Sequence, residues 1–303
     1  MSKISKSGLD AHGVPYLVIT ETGNYSVFKT FDCGQCFRFD KTEDSRHKYA
    51  VSGVAYGKYI EIAEDEPGTV TLYGITEDEY ASVFCRFLAL DADYGMIDSM
   101  IASALPEGSV GRTHMEACIK SSEGIRILAQ EPWEALCSFI VSQNNNIPRI
   151  KKIIRAMCEK YGEPIVTPDG RTEYAFPTAE ALAEAGVDEI FALRTGFRAK
   201  YIYDCAVKYK GGMIDTARIL TSSDYDECEK ILESISGVGP KVAACALLFG
   251  FGKTDAFPID VWIKKVIAAH FPDGLDYHVF GRYAGIAQQY MFYHERYIAS
   301  AGK

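Results

Sequence analysis

The chain has 303 residues, 48% of them hydrophobic and 24% charged, which is typical of a globular protein with one large or two to three smaller domains. Its net charge of −9 excludes a nucleic-acid interaction driven by bulk charge. Any contact with a phosphate backbone must come from a local basic face and from backbone N–H groups.

The nine cysteines are an odd number, scattered from Cys33 to Cys245, and favour reduced thiols over a disulfide framework. Cys33 and Cys36 form a CxxC pair, but no second pair or nearby histidine completes a zinc site, so no metal is expected. The N-terminus lacks the apolar core of a signal peptide, and no apolar run approaches the roughly 18 residues of a membrane span. We therefore expect a soluble protein without membrane association, in the cytoplasm or, if the source is eukaryotic, the nucleus.

The first part of the chain is predicted to form an antiparallel sheet, because short apolar segments are separated by Gly, Asp and Pro turns. The predicted strands span residues 16–19, 36–39, 49–51, 59–62 and 70–73. From residue 77 onward, the long periodic segments fit a helical repeat. The predicted helices span residues 77–90, 94–105, 132–142, 147–161, 178–185, 188–194, 197–208, 223–234, 240–251, 260–270 and 280–297, with a long connection at 162–177. A sheet followed by helices predicts an α+β fold, with an N-terminal sheet domain at 1–110 and a largely helical region at 111–303.

A glycine turn separates two of these helices. Gly237 and Gly239 expose backbone N–H groups that can bind a phosphate, and Pro240 suits the first position of the next helix because its missing N–H would have no partner there. Lys241 then lies in the first turn of a helix whose following residues, 242–251, are almost wholly apolar. Desolvation and the positive helix end would both disfavour a protonated amine there, and a neutral lysine is a nucleophile.

A carboxylate follows at a suggestive distance. Asp260, preceded by Pro258, is the predicted N-cap of the next helix. It lies 19 residues beyond Lys241 (260 − 241 = 19), and two helices folded back on one another could bring the two groups together.

An asparagine run and a set of basic residues can each be explained either by local structure alone or by a function. The run Asn144-Asn145-Asn146 suits a tight loop, since asparagine tolerates unusual backbone angles and caps helices. Basic residues that could form a phosphate-binding face, or simply solvated helix faces, are Arg149, Lys151, Lys152, Arg155, Lys253, Lys264 and Lys265.

The stretch 235–266 resembles the helix-hairpin-helix signature of the base-excision DNA glycosylases. Segments 34–39, 142–150, 195–201 and 285–292 resemble the eukaryote-type 8-oxoguanine DNA glycosylases of that superfamily. The resemblance therefore covers nearly the whole chain. It implies a bifunctional glycosylase/AP lyase with two helical lobes around its active site, which flips and excises 8-oxoguanine, preferably opposite cytosine, through a lysine Schiff base and β-elimination.

The resemblance also implies individual roles. Lys241 would be the nucleophile, and Asp260 would stabilise the developing positive charge. The lesion would be bound by Gly34, Cys245, Pro258, Gln288 and Phe292, with the Gly34 carbonyl accepting the N–H that 8-oxoguanine carries at nitrogen 7. Guanine has a lone pair there, so the same acceptor repels the normal base.

On the DNA side, the resemblance implies that Asn144 fills the gap left by the flipped nucleotide, Phe197 wedges the stack, and Arg149 and Arg198 bond the stranded cytosine. Phosphate contacts would come from Gly237, Gly239, Val242 and Trp262. Two residues depart from the family pattern: Trp262 stands where histidine is usual, and Phe197 where tyrosine is common.

The implied partner is double-stranded DNA containing oxidised guanine, bound by a monomer. No organic cofactor or catalytic metal is implied, although hairpin carbonyls could hold a structural monovalent cation. Two alternatives stay open: a glycosylase for another damaged purine, and a non-catalytic helix-hairpin-helix DNA-binding module.

Overall fold

The structure, a computed structural model, describes residues 2–43 and 46–299. Its N-terminal part contains the predicted antiparallel sheet. The strands of this sheet are β1 (Lys3–Leu9), β2 (Pro15–Thr20), β3 (Phe39–Lys41), β4 (Tyr49–Ala55), β5 (Lys58–Glu64) and β6 (Val70–Tyr73). Their order across the sheet is β1-β2-β6-β5-β4-β3.

Two strands differ from the prediction. β1 was not predicted, because it is an edge strand with nearly every residue exposed and therefore carries no apolar alternation. The strand predicted at 36–39 overlaps β3 only at Phe39. The reason lies just before it, where Gly34 takes a positive φ of 83° and Phe37 leaves the sheet to pack edge-on against Phe139, with ring centroids 5.8 Å apart.

The rest of the chain is largely helical, which confirms the α+β prediction. The helices are α1 (Val27–Asp32), α2 (Glu77–Glu79) and α3 (Cys85–Phe87) joined by a π turn, α4 (Tyr94–Ser103), α5 (Val110–Ser121), α6 (Pro132–Ser142), α7 (Ile147–Tyr161), α8 (Ala179–Ile190), α9 (Ala199–Lys210), α10 (Thr216–Thr221), α11 (Tyr225–Glu233), α12 (Pro240–Phe249), α13 (Val261–His270) and α14 (Ala284–Tyr293). Of these, α1, α5 and α10 were not predicted.

Three predictions for the part of the chain after residue 161 are modified. The connection at 162–177 contains a small hairpin of β7 (Pro164–Val166) and β8 (Thr172–Tyr174). The two helices predicted at 178–185 and 188–194 are α8 and a following π turn, with a break at Gly186, whose φ is 75°. The helix predicted at 280–297 is divided into a 3₁₀ segment, α14 and a π segment.

Two hydrophobic cores lie side by side. One covers the sheet and includes Leu128, which lies far along the chain between α5 and α6. The other, larger core is helical, yet it includes Cys33 and Phe37 from the N-terminal part. The chain thus crosses between the cores more than once. The domain boundary near residue 110 stays a prediction, and its outer ends, residues 1 and 300–303, lie outside the described residues.

Candidate active site

A cavity of about 570 Å³ opens where α12, α13, α14 and the loop before α7 meet. Nine of the predicted site residues line it, although they come from widely separated parts of the chain. They are Gly34, Asn144, Lys241, Cys245, Pro258, Asp260, Trp262, Gln288 and Phe292. The other predicted site residues, which do not line it, are Arg149, Phe197, Arg198, Gly237, Gly239 and Val242.

Lys241 is the second residue of α12, as predicted, with Gly239 as N-cap and Pro240 at the first position. The residues from Val242 to Phe249 are all buried, but Lys241 itself is exposed. Its ammonium nitrogen lies 6.0 Å from the ring centroid of Phe139. The expectation of a desolvated amine is therefore wrong for the protein without DNA, because the helix is buried while its first turn is not.

Asp260 is the N-cap of α13, as predicted. Its Oδ1 accepts hydrogen bonds from the backbone N–H groups of Trp262 and Ile263, each with a length of 2.9 Å. Its other carboxylate oxygen has no hydrogen-bond partner among the described residues. No ion pair forms between this carboxylate and Lys241 there either, so the two groups line one cavity without neutralising each other.

Cys245 lies one turn after Lys241 on α12 and is buried. Burial raises the pKa of the Cys245 thiol, and the nearby Lys241 ammonium partly offsets that effect. The side chain is therefore a neutral thiol at physiological pH, which is an apolar surface suited to contact with a flat ring.

Gly34 lies in a loop held from three sides. The side-chain amide of the buried Gln35 donates to the carbonyls of Thr30 and Arg126, each at a distance of 2.8 Å. The side-chain amide of Gln289 donates to the carbonyl of Cys33 at 3.1 Å. Within the described ranges, the carbonyl of Gly34 accepts no hydrogen bond. The loop therefore holds one backbone acceptor at the cavity wall, next to Phe292.

Gln288 has a buried polar atom that the protein leaves unsatisfied. The side chain is only 4% exposed, and its Oε1 has no hydrogen-bond partner among the described residues. A second amide atom of the cavity wall, Nε2 of Gln143, is in the same condition. Because leaving a buried polar group unpaired costs about 1–3 kcal/mol, both atoms favour a polar partner at this cavity wall, either water or a ligand.

The asparagine run forms a tight loop, as its composition predicted. Asn144 is exposed and has a positive φ of 46°, and the Asn146 side chain caps α7 by accepting from the Arg149 N–H over 3.0 Å. Asn144 therefore projects from a strained turn at the cavity rim.

Arg198 is not placed for the contact with cytosine that the resemblance implies. It is 2% exposed, and its guanidinium donates to the carbonyls of Gln143, Asn144 and Thr195. Burial, with a contribution from the charge of Arg149, lowers the pKa of Arg198. In this conformation most of its donors hold the asparagine loop rather than face DNA.

Two of its neighbours do face the surface. Arg149 is exposed, with one long contact of 3.5 Å to the carbonyl of Arg194. Phe197 is 50% exposed and packs edge-on against Tyr201.

Two backbone N–H groups in the glycine turn between α11 and α12 are available to bind a ligand. Gly237 has a φ of 77°, and a Cβ on it would lie 2.4 Å from the Tyr201 ring, so only glycine fits. Within the described part of the chain, the N–H groups of Gly237 and Gly239 have no hydrogen-bond partner. By contrast, the N–H of Val242 already donates to the Gly239 carbonyl over 3.0 Å, and the Val242 side chain is buried, which leaves it poorly placed to bind a phosphate.

The basic residues fall into two groups. Lys151 and Arg155 pair with Asp40 on the sheet, and Lys253 donates to carbonyls at the end of α10. Lys264 lines the cavity next to Trp262, whose ring lies under Lys265 at 4.3 Å. The cationic face is therefore narrower than the sequence indicated.

Sequence reasoning missed the residues that support the site. Gln35 and Gln289 hold the Gly34 loop, and Phe139 lies under Lys241. For Gln289 the signal is a polar residue inside an otherwise apolar helical segment, whereas Gln35 and Phe139 carry no signal in the sequence that could have found them.

Comparison with known proteins agrees with the resemblance described for the sequence. A family model described as HhH-GPD superfamily base excision DNA repair protein matches residues 137–274. Another, described as 8-oxoguanine DNA glycosylase, N-terminal domain, matches residues 17–136. A helix-hairpin-helix with lysine and aspartate at one cavity thus defines a base-excision DNA glycosylase.

The relatives narrow this class. A solved structure of MBOgg1 in complex with a low-affinity DNA ligand is 34% identical, with a TM-score of 0.87 over 100% of both chains. The Clostridium acetobutylicum 8-oxoguanine glycosylase/lyase, in complex with double-stranded DNA containing cytosine opposite 8-oxoguanine, is 33% identical, with a TM-score of 0.84 over 98% of this chain and 97% of that one. The N-glycosylase/DNA lyase of Saccharomyces cerevisiae is 38% identical over 156 residues, 48% of this chain.

The chain belongs to the 8-oxoguanine DNA glycosylase family. The predicted family and class of enzyme, a DNA N-glycosylase/lyase, are confirmed at this level. The match spans 42% of the yeast protein, so this chain covers less than half of that relative. No helix in the described ranges is both long and apolar enough to cross a membrane.

Proposed function

We propose that the protein excises 8-oxoguanine from double-stranded DNA, preferably opposite cytosine, and then cleaves the strand by β-elimination. One observation carries this proposal. The buried, unsatisfied amide oxygen of Gln288 shares a cavity wall with the Gly34 carbonyl, the Lys241 amine and the Asp260 carboxylate. The cavity thus combines acceptors for a base with a nucleophile and an anion for the sugar.

Recognition of the lesion rests on Gly34. Its carbonyl accepts the N–H at nitrogen 7 of 8-oxoguanine and repels the lone pair that guanine has there. Because the loop around Gly34 is held by Gln35 and Gln289, the carbonyl cannot turn away from the normal base. Gln288 bonds the pairing edge of the base, while Cys245 and Phe292 contact its faces and Pro258 closes the wall.

The chemistry rests on Lys241 and Asp260. The neutral amine attacks the anomeric carbon, the bond from that carbon to the base breaks, and the departing base takes the electron pair. Asp260 stabilises the positive charge that develops on the sugar, through the carboxylate oxygen its helix does not use. The bound amine then gives up a proton and the C1′–O4′ bond breaks, with the electron pair and a proton going to O4′, so that the sugar ring opens to a Schiff base. Loss of a proton from C2′ next expels the 3′ phosphate, which leaves with its electron pair. Bound DNA supplies the desolvation that Lys241 lacks in the free protein.

The opposite base is read by Arg149, which is exposed beside the loop and presents donors to the acceptors of cytosine. Asn144 fills the gap left by the flipped nucleotide, and Phe197 wedges the stack. Arg198 positions the loop that carries Asn144. The amides of Gly237 and Gly239 bind a phosphate, with the half-buried Trp262 packing beside it.

The reaction uses no organic cofactor and no catalytic metal. A structural monovalent cation at the hairpin would be held by backbone carbonyls. No step of the mechanism passes through that cation. All nine cysteines are free thiols, which supports a reducing compartment such as the cytoplasm.

The test is borohydride trapping on a duplex that carries 8-oxoguanine opposite cytosine. The parent protein is expected to give a covalent adduct, and Lys241→Gln to bind the duplex without one. Lys264→Gln, which alters another exposed lysine of the same cavity, is the matched control and should keep the adduct.

Three results would contradict the proposal. An undiminished adduct in Lys241→Gln would remove the nucleophile assignment. Excision without any adduct in the parent protein would favour a glycosylase that uses water. Binding of duplex without excision of 8-oxoguanine or an alkylated purine would leave a non-catalytic DNA-binding module.

A further inference from the structure

Three histidines and a cysteine gather where α5 and the ends of α13 and α14 meet. His114 and Cys118 lie one turn apart on α5, His270 is the last residue of α13, and His294 directly follows α14. None of these four residues lines the active-site cavity, and the proposed reaction uses none of them.

Their ligand atoms are already close. Cys118 Sγ lies 3.3 Å from His114 Nε2, and one ligand atom from each of His114, Cys118 and His294 falls within 4.8 Å of the others. In a tetrahedral zinc site, with Zn–S of about 2.3 Å and Zn–N of about 2.0 Å, sulfur and nitrogen ligands are about 3.5 Å apart. The sulfur and the first nitrogen therefore match a shared ion, and His294 has to move by no more than about 1.5 Å to join them.

A hydrogen bond fits one nitrogen of His294 for metal binding. The Ser121 hydroxyl oxygen lies 3.0 Å from the carbonyl oxygen of Cys118 and 2.9 Å from Nδ1 of His294. In the tautomer with the proton on Nδ1, that N–H donates to Ser121 Oγ and the lone pair is on Nε2. A histidine held by a hydrogen bond at its other nitrogen is the usual arrangement in metal sites.

His270 has a different role from the other two histidines. Its ring stacks on that of His114 with centroids 3.7 Å apart and planes 7° apart. A metal ion lies in the plane of each imidazole that binds it, and two parallel planes do not meet. His270 therefore covers His114, and the fourth ligand position is left to solvent on the half-buried side of His294.

The burial of the ligands also suits a structural ion. His114 and Cys118 are buried, while His294 is half-buried. Binding would require a deprotonated Cys118, so that it releases one proton to solvent.

We propose that His114, Cys118 and His294 form a binding site for a zinc-type divalent cation. A soft thiolate with two imidazoles selects such an ion over magnesium or calcium. The ion would tie α5 to the end of α14, the helix that carries Gln288 and Phe292.

The experiment is a titration of the full chain, first stripped with a chelator, with cobalt(II) as a spectroscopic substitute for zinc. One equivalent is expected to bind, with a thiolate-to-cobalt charge-transfer band that zinc removes. Cys118→Ser should abolish the band and weaken zinc binding at least tenfold. Cys36→Ser, which removes one thiol of the CxxC pair, is the matched control and should change neither.

Absence of cobalt uptake by the parent protein would overturn the proposal. So would a band that survives in Cys118→Ser, or one that is lost in Cys36→Ser. If Cys118→Ser fails to fold by circular dichroism, His294→Gln at a half-buried position is the second variant. It should keep the thiolate band at saturation and lose at least tenfold in affinity, and an unchanged affinity would count against the site.

Discussion

Arg198 and Arg149 lie close to one loop, yet their removal is predicted to have opposite consequences. Arg198 donates four N–H groups to three backbone carbonyls, those of Gln143, Asn144 and Thr195. Arg149 makes one long contact and is exposed. We therefore expect Arg198→Ala to cost stability and Arg149→Ala to cost base discrimination.

The expected loss of stability in Arg198→Ala follows from the hydrogen bonds that its guanidinium makes. Hydrogen bonds to a charged group contribute about 1.5–3 kcal/mol each, and Arg198→Ala loses all four of those that the guanidinium makes to the three carbonyls. Removing a buried charge recovers part of its desolvation cost. The net loss for Arg198→Ala is about 3 kcal/mol, which lowers the melting temperature by roughly 5 °C in a chain of this size. Arg149→Ala should lie within about 0.5 kcal/mol of the parent protein.

The assay combines melting with single-turnover excision from four duplexes that differ only in the base opposite 8-oxoguanine. The parent protein is expected to favour cytosine over adenine by tenfold or more, about 1.4 kcal/mol. Arg149→Ala should lose that preference at unchanged stability. Arg198→Ala should be slower on all four duplexes, because the loop that carries Asn144 loses its support.

Two results would refute this reasoning. If Arg198→Ala melts with the parent protein, its bonds to the loop carbonyls do not hold the loop. If the cytosine preference survives in Arg149→Ala and disappears only in Arg198→Ala, then Arg198 leaves its buried position when DNA binds and reads the base itself.

Substitutions at four further positions test the site. Asp260→Asn can still cap α13, so it should lose turnover by orders of magnitude at little cost in melting temperature, whereas Asp260→Ala should also lose about 1 kcal/mol of stability. Equal losses of melting temperature in both variants, with activity intact, would leave Asp260 only its structural role as helix cap. Gln288→Leu removes an unsatisfied buried amide and should raise stability by about 1 kcal/mol while slowing excision at least tenfold, and a variant that is less stable would contradict this. Gly237→Ala places a methyl group against the Tyr201 ring at positive φ and should cost about 2 kcal/mol by chemical denaturation, while Gly239→Ala, with no atom within 4 Å of its Cβ, should not.

The sequence predicted best where a local rule decides the structure. Asp260 caps its helix and Pro240 begins another because unpaired N–H groups at a helix start are satisfied in few ways. The asparagine loop was predicted by the same rule, because the Asn146 side chain caps the start of α7. β1 was missed because an exposed edge strand has no apolar alternation to detect.

The residues that the proposed reaction uses were selected from the sequence, because each has a fixed place in a short motif. Their environment could not. Whether Lys241 is buried depends on what covers the first turn of α12, and in the free protein little does. The engagement of Arg198 depends on carbonyls more than fifty residues earlier in the chain, at Gln143 and Asn144.

By itself the sequence determined the family, the α+β order and the positions of Lys241 and Asp260 at the starts of consecutive helices, because each follows from motifs of residues near one another in the chain. Only the tertiary structure decided how Gly34 is held, which amide oxygen stays unsatisfied, and that His114 and His294 meet across 180 residues (294 − 114 = 180). Burial and hydrogen-bond partners depend on every element that packs around a side chain, and no pattern along the chain records them.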